Sequence, residues 1–256
     1  MAFIDMIFQG KGGVGKSFVA SLLAQYGKDK GYTVSCIDTD PVNATFAGYA
    51  ALKAKIINIL DGDDINPRNF DQIIEEIFTL PEEQTQMVID NGSATFLPLG
   101  SYMGKNSIPA FLDENTSHKL RLHSVITGGQ AMDDTLIGLK TLLQTFPNLP
   151  IVVWINPFFG DLIKDGKPFS EFKIYQENKD GFEAIITIPP ILDERTFGED
   201  LNDLLNNKLT FTEFTNSERP LMQRHRMKRY WEETTAAIDK AELLEGLFDE
   251  QPESDD

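Results

Sequence analysis

The segment Gly10-Lys11-Gly12-Gly13-Val14-Gly15-Lys16-Ser17 satisfies the pattern G-x-x-x-x-G-K-[ST], and it is the strongest chemical signal in the chain. Glycines at this spacing let successive backbone N–H groups turn inward onto phosphate oxygens at a helix N-terminus. Lys16 is placed to reach the β- and γ-phosphates of a nucleotide, and Ser17 to ligate Mg²⁺. Together with Phe18, this run forms the expected nucleotide contact. The competing reading is a glycine-rich turn without a ligand, which the apolar run before it and the helical pattern after it disfavour.

Three carboxylates and an amide stand at the ends of other apolar runs. In Cys36-Ile37-Asp38-Thr39-Asp40-Pro41 the acids are spaced i, i+2, so both can lie on the phosphate side of a strand end. An Asx turn is the plain alternative. Met87-Val88-Ile89-Asp90 is an apolar strand closed by a carboxylate, the form that supports Mg²⁺ through water in phosphate-loop enzymes. Residues 151–156 end on Asn156, an amide that could read the adenine edge or simply cap a turn, and Pro189 in Ile188-Pro189-Pro190 could flank the base. Pro157-Phe158-Phe159 follows Asn156, so the guanine-reading N-K-x-D string is absent and ATP is favoured over GTP. His118, His123 and His225 are scattered and Cys36 stands alone, so no protein-held transition-metal site and no intrachain disulfide is expected.

The elements that must position these groups alternate along the chain. Apolar runs at 3–8, 32–37, 56–60, 87–89, 120–126, 151–155 and 184–188 predict strands, with helices at 17–30, 67–78, 130–145 and 193–206. Short strands alternating with helices predict a three-layer α/β architecture, a doubly wound and mostly parallel sheet with ligands at the carboxyl ends of its strands. The expected division is an ATPase domain over residues 1–216, an amphipathic helix over 217–248 and an acidic disordered tail over 249–256.

The string K-G-G-V-G-K-S resembles the deviant Walker A loop of the ParA/MinD family. The strings Q-G-K-G-G-V-G-K-S, C-I-D-T-D-P-V-N-A-T-F, V-I-D-N-G, V-I-T-G-G-Q-A and V-V-W-I-N-P look like those of the TraL conjugal-transfer proteins of broad-host-range plasmids, over about residues 3–209. The resemblance implies that Lys11 reaches across an ATP-dependent homodimer to the partner's phosphates. It further implies that Asp38 lies near Mg²⁺ through water and that Asp40 positions the attacking water, so that Lys11, Lys16 and Asp40 carry catalysis. The family usually has a proline soon after the position of Asp90, where this chain has Asn91-Gly92-Ser93. The implied function is slow ATP hydrolysis as a dimerisation switch serving conjugal transfer or type IV secretion. A small-molecule kinase or ligase of dethiobiotin synthetase type and a non-hydrolysing ATP-bound adaptor are the alternatives.

Charge bounds the partners. The chain carries 23 basic and 40 acidic residues for a net of −17, which disfavours free nucleic acid. Apolar runs fall far short of the roughly 20 residues needed to span a bilayer, so no stable membrane insertion and a cytoplasmic location are expected. Arg219, Arg224, Arg226, Lys228 and Arg229 form the one basic stretch, on a helix predicted over residues 219–248 whose apolar arc is Met227, Tyr230, Trp231, Ile238, Ala241 and Phe248. A protein partner in a transfer complex is the favoured functional reading of that stretch. The alternative is that the helix packs on the sheet and its arginines pair with the acidic tail.

Overall fold

The computed structural model describes residues 1–40 and 42–244. Pro41, Phe248 of the expected helical arc and the expected tail at 249–256 lie outside the described residues. In chain order the elements are β1 (Ala2–Ile7), α1 (Lys16–Asp29), β2 (Thr33–Asp38), β3 (Lys55–Ile56), β4 (Leu60–Asp61), β5 (Asp64–Ile65), α2 (Asp71–Phe78) and β6 (Thr85–Asp90). There follow α3 (Phe96–Lys105), α4 (Ile108–Asn115), β7 (Lys119–Thr127), α5 (Met132–Thr145), β8 (Ile151–Asn156), β9 (Ile163–Lys164) and β10 (Lys167–Pro168). The chain closes with α6 (Lys173–Glu177), β11 (Phe182–Thr187), α7 (Glu199–Asn206), α8 (Phe211–Thr215) and α9 (Leu221–Asp239).

Seven strands form one sheet in the order β11-β8-β7-β1-β6-β2-β3, and every pairing in it is parallel. Crossovers therefore leave β1 in both directions, and the crevice above its carboxyl end is the place where such a sheet binds ligands. Alternation along β1 sorts its side chains. Phe3 and Ile7 join α1, α7, α8 and α9 in one core, while Ile4 and Met6 join α2 to α5 in the other. The expected three-layer α/β architecture is the observed one.

Two expectations need correction. The strand predicted over residues 56–60 pairs with β2 only through Lys55 and Ile56. Ile57 and Ile59 are buried, but the Asn58 side chain accepts from the Leu60 amide and turns the chain into the short β4–β5 ribbon. The last helix is also shorter than predicted: it starts after Pro220 and ends at Asp239, and the following turn carries Glu242 at φ 51. Its buried face is Met227, Tyr230, Thr234 and Ile238, which places α9 on the domain.

The α1 side of the sheet hides a charged cluster. Asp5, Arg121 and His123 are each fully buried, with Arg121 Nη2 2.7 Å and His123 Nε2 2.9 Å from Asp5 Oδ1. Gln86 donates to the same carboxylate at 2.7 Å, and Trp154 Nε1 donates to His123 Nδ1 at 2.9 Å. Burial alone would raise the Asp5 pKa, but the charge of Arg121 and the hydrogen bonds from His123 and Gln86 outweigh it and hold the carboxyl well below the usual range. Arg121 also donates to the Leu243 carbonyl, and the Tyr32 hydroxyl donates to that of Leu244 at 2.9 Å. The centre of the sheet thus holds the end of the described chain.

Candidate functional site

The loop between β1 and α1 wraps over the carboxyl end of the central strand. Gly13 and Gly15 take the left-handed region, at φ 75 and 103, and a Cβ on Gly15 would sit 2.8 Å from Asn156 Nδ2. Glycine is required there on both counts. Lys16 is buried, and its ammonium crosses the loop to donate to the Lys11 carbonyl at 2.9 Å. Burial lowers its pKa, while the charges of Asp90 and Asp40 act in the other direction.

The parallel register of β1, β6 and β2 sets Ile7, Asp90 and Asp38 side by side at the strand ends. Asp38 is fully buried; its Oδ1 accepts from the Asp40 amide and its Oδ2 from that of Ala47, both at 2.9 Å. Burial raises its pKa, and these backbone donors oppose the rise. Asp90 is 1% exposed, and burial pushes its carboxyl up to about 7, with Asp38 and Asp40 adding to the rise and Ser17 and Lys16 pulling it back. Its Oδ1 has no hydrogen-bond partner. An orphaned acceptor beside Ser17 suits a hydrated Mg²⁺, which takes oxygen ligands and keeps several waters. Among the described residues no three acidic, histidine or cysteine side chains form a cage of their own, so phosphate and water would complete such a site.

Asp40 closes an Asx turn, its Oδ1 accepting from the amides of Val42 at 2.9 Å and Asn43 at 3.0 Å. Asn91 is a clamp: Nδ2 donates to Ile7 O at 3.0 Å, and Oδ1 accepts from the Thr39 hydroxyl at 2.9 Å. Gly92 has an ordinary φ of −60, yet a Cβ there would lie 2.7 Å from Asp40 Cγ. Sequence reading missed this use of Gly92, because an Asn-Gly pair reads as a turn. Gln9 was missed too: its Nε2 donates to Val125 O at 3.0 Å and Thr135 O at 3.1 Å, and its Oε1 accepts from the Lys11 amide. The glutamine next to Gly10 gave no signal of its own.

Lys11 points away from the loop, its ammonium 2.8 Å from Asp134 in the first turn of α5. Beside Gly13 and Gly15 lies an apolar cavity of about 190 Å³ lined by Phe18, Asn156, Phe158, Pro189 and Tyr230 among others. Asn156 caps the turn that follows it by accepting from Phe158 N at 3.1 Å and also donates to Val14 O at 3.0 Å. The Pro189 carbonyl accepts from Tyr230 at 3.1 Å. The expected base-side residues are thus brought together around one cavity next to the phosphate loop.

The model of the CobQ/CobB/MinD/ParA nucleotide binding domain matches residues 5–239. The chain belongs to this family. Within it, the chain is 47% identical over 230 residues to a protein TraL of Escherichia coli, covering 89% of this chain and 93% of that one. A second protein TraL of Escherichia coli is 45% identical over 246 residues, covering 95% of this chain and all of the relative. Among solved structures, the MinC:MinD cell division protein complex of Aquifex aeolicus superposes with a TM-score of 0.51 at 16% identity, over 91% of this chain and 96% of that one. That likeness bears on the fold, which is that of a MinD/ParA phosphate-loop protein. Among the described residues no helix is long and apolar enough to cross a membrane.

Proposed function

We propose that this protein is an ATPase that binds ATP with Mg²⁺ and uses hydrolysis to control a homodimer in the service of conjugal transfer. The observation that carries the reading is the meeting of Lys16, Ser17, Asp38 and Asp90, whose Oδ1 has no partner, at the glycine-rich loop. A bound Mg²⁺ would neutralise the phosphates' charge and hold their oxygens. Ser17 would ligate the ion, with Asp90 and Asp38 acting through water. Lys16 exchanges its Lys11 carbonyl for phosphate oxygens. Asp40, held by the Val42 and Asn43 amides, orients the water that attacks the γ-phosphorus.

Exposed apolar side chains support the dimer. Val42 follows β2, Leu97 follows β6, Phe158 and Phe159 follow β8, and Leu192 follows β11. All therefore belong to segments leaving the carboxyl edge of the sheet, where the phosphate loop lies, and apolar groups so placed mark an interface. Lys11 would leave Asp134 to reach the partner's phosphates. Their surface pair is worth at most about 1 kcal/mol, so its loss hardly opposes the move. The transfer role comes from the TraL relatives.

Turnover and mass test the reading together. Asp40→Ala is expected to keep ATP·Mg²⁺ affinity in calorimetry while losing at least tenfold in phosphate release, and Lys11→Ala to bind ATP yet stay monomeric in light scattering. Wild-type turnover in the first variant, or an ATP dimer in the second, would remove the corresponding role. A metabolite that accepts the γ-phosphate would favour the kinase alternative, and zero turnover in the wild type the adaptor.

A further inference from the structure

Of the basic stretch, Arg219, Arg226, Lys228 and Arg229 are engaged within the chain, whereas the buried Arg224 Nε has no hydrogen-bond partner. Arg226 Nε lies 2.5 Å from Asp200 and Arg219 Nε 2.7 Å from Asp203, both on α7, while Arg229 and Lys228 face Glu233 and Glu232 one turn along the same helix. A different surface is less well satisfied. Between α2 and the α3–α4 corner runs a groove of about 560 Å³ whose floor is Ile74 and Ile108. Phe78 and Phe111 also line it, 41% and 44% exposed and in ring contact with each other at a centroid distance of 5.4 Å.

The rim of this groove is acidic. Asp71 and Glu75 line it and are exposed, Tyr102 fixes Asp71 by donating to its carboxylate at 2.6 Å, and no lysine or arginine is among the lining residues. We propose that this groove docks an amphipathic helix of a partner protein, one with apolar anchors a turn apart and lysine or arginine beside them. Grooves walled by helices accept helices at i, i+3 or i+4 anchors, and aromatic side chains in such pockets carry most of the binding energy. The rim carboxylates select the sign of the flanking charge. A second copy of this chain is disfavoured, since a two-fold contact through this face would set Asp71 and Glu75 against themselves. Residues 245–256 are disfavoured as occupants because they hold six acids and no base. Anionic lipid and nucleic acid meet the same repulsion.

The groove lies in the layer of α2 to α4, and the inference stands apart from nucleotide chemistry. Its test is fluorescence anisotropy with a labelled 16-residue helical peptide carrying leucines at i, i+4, i+7 and i+11 and lysines at the flanking positions, beside the same peptide with glutamates for lysines. The lysine peptide is expected to bind, with Phe111→Ala weakening it at least tenfold. Glu75→Lys should also weaken it and improve the glutamate peptide, whereas the equal charge change Glu194→Lys should do neither. Glu75→Lys leaves the apolar floor untouched, so it keeps the test valid if Phe111→Ala fails to fold, and its ATP turnover should match the wild type. No binding of the lysine peptide, equal binding of the two peptides, or indifference to Glu75→Lys overturns the proposal. So does a dimer that Phe111→Ala breaks in light scattering, or vesicles of phosphatidylglycerol held through Phe78 and Phe111.

Discussion

Asp90 is the residue whose titration should be visible. Its folded pKa of about 7 exceeds the ordinary carboxylate value of 3.8, so between these two values the folded protein holds a proton that the unfolded chain releases. Ligand-free stability therefore falls as pH rises through that window, by a few kcal/mol in total. Asp90→Asn should raise the Tm of the nucleotide-free protein at pH 8 and change it little at pH 4.5; an equal difference at both would refute the shift. Cation binding favours the ionised carboxyl, so ATP·Mg²⁺ binding at pH 6 should release a proton, read as a buffer-dependent heat. Gly92 makes a second residue-scale prediction. A methyl group there meets Asp40 at 2.7 Å without backbone strain. Gly92→Ala should lower kcat about tenfold or more, near 1.4 kcal/mol, with ATP affinity changed less than threefold. Normal turnover would show that Asp40 has room to move.

At the scale of elements, α9 divides its cations into those that hold the fold and those that do not. Arg226 neutralises Asp200, which is 4% exposed, whereas Lys228 and Glu232 are both largely solvated. Arg226→Ala should cost about 3 kcal/mol in urea unfolding because it strands a buried carboxylate. Lys228→Ser should cost under about 0.5 kcal/mol. Equal losses would mean that α9 is anchored by its apolar face alone. The arginines were legible as a cluster in the sequence, but their partners on α7 were not, since nothing local relates Arg226 to an acid 26 residues earlier. Apolar runs gave β1, β2, β6, β7, β8 and β11 to within two residues at each end. By contrast α3 and α4 were illegible, because Pro98, Gly100, Gly104 and Pro109 punctuate them and only the burial of Leu99, Met103, Ile108 and Leu112 makes them helices. For the site, the acids at strand ends were readable since parallel strands end together. Gln9, Gly92 and Asp134 were not, because each acts through a residue distant in sequence.

For the whole molecule the buried Asp5–Arg121–His123 cluster is the decisive commitment. Removing one member of a buried, hydrogen-bonded charge group costs about 3–5 kcal/mol, a large share of the stability of a protein. Arg121→Leu should therefore unfold at markedly lower urea, and the double variant Asp5→Asn with Arg121→Leu should recover part of the loss. Additive losses would mean that the two charges are not coupled. Arg121 also depends on the Leu243 carbonyl, and Tyr32 on that of Leu244, so the first half of the chain is completed by residues that follow α9. A ribosome that has delivered the phosphate loop, every strand of the large sheet and most of α9 still holds a nascent chain whose central arginine has Asp5 but not its second acceptor, the Leu243 carbonyl. Packing at the centre of the sheet is thus completed during synthesis only once Leu243 and Leu244 have left the exit tunnel.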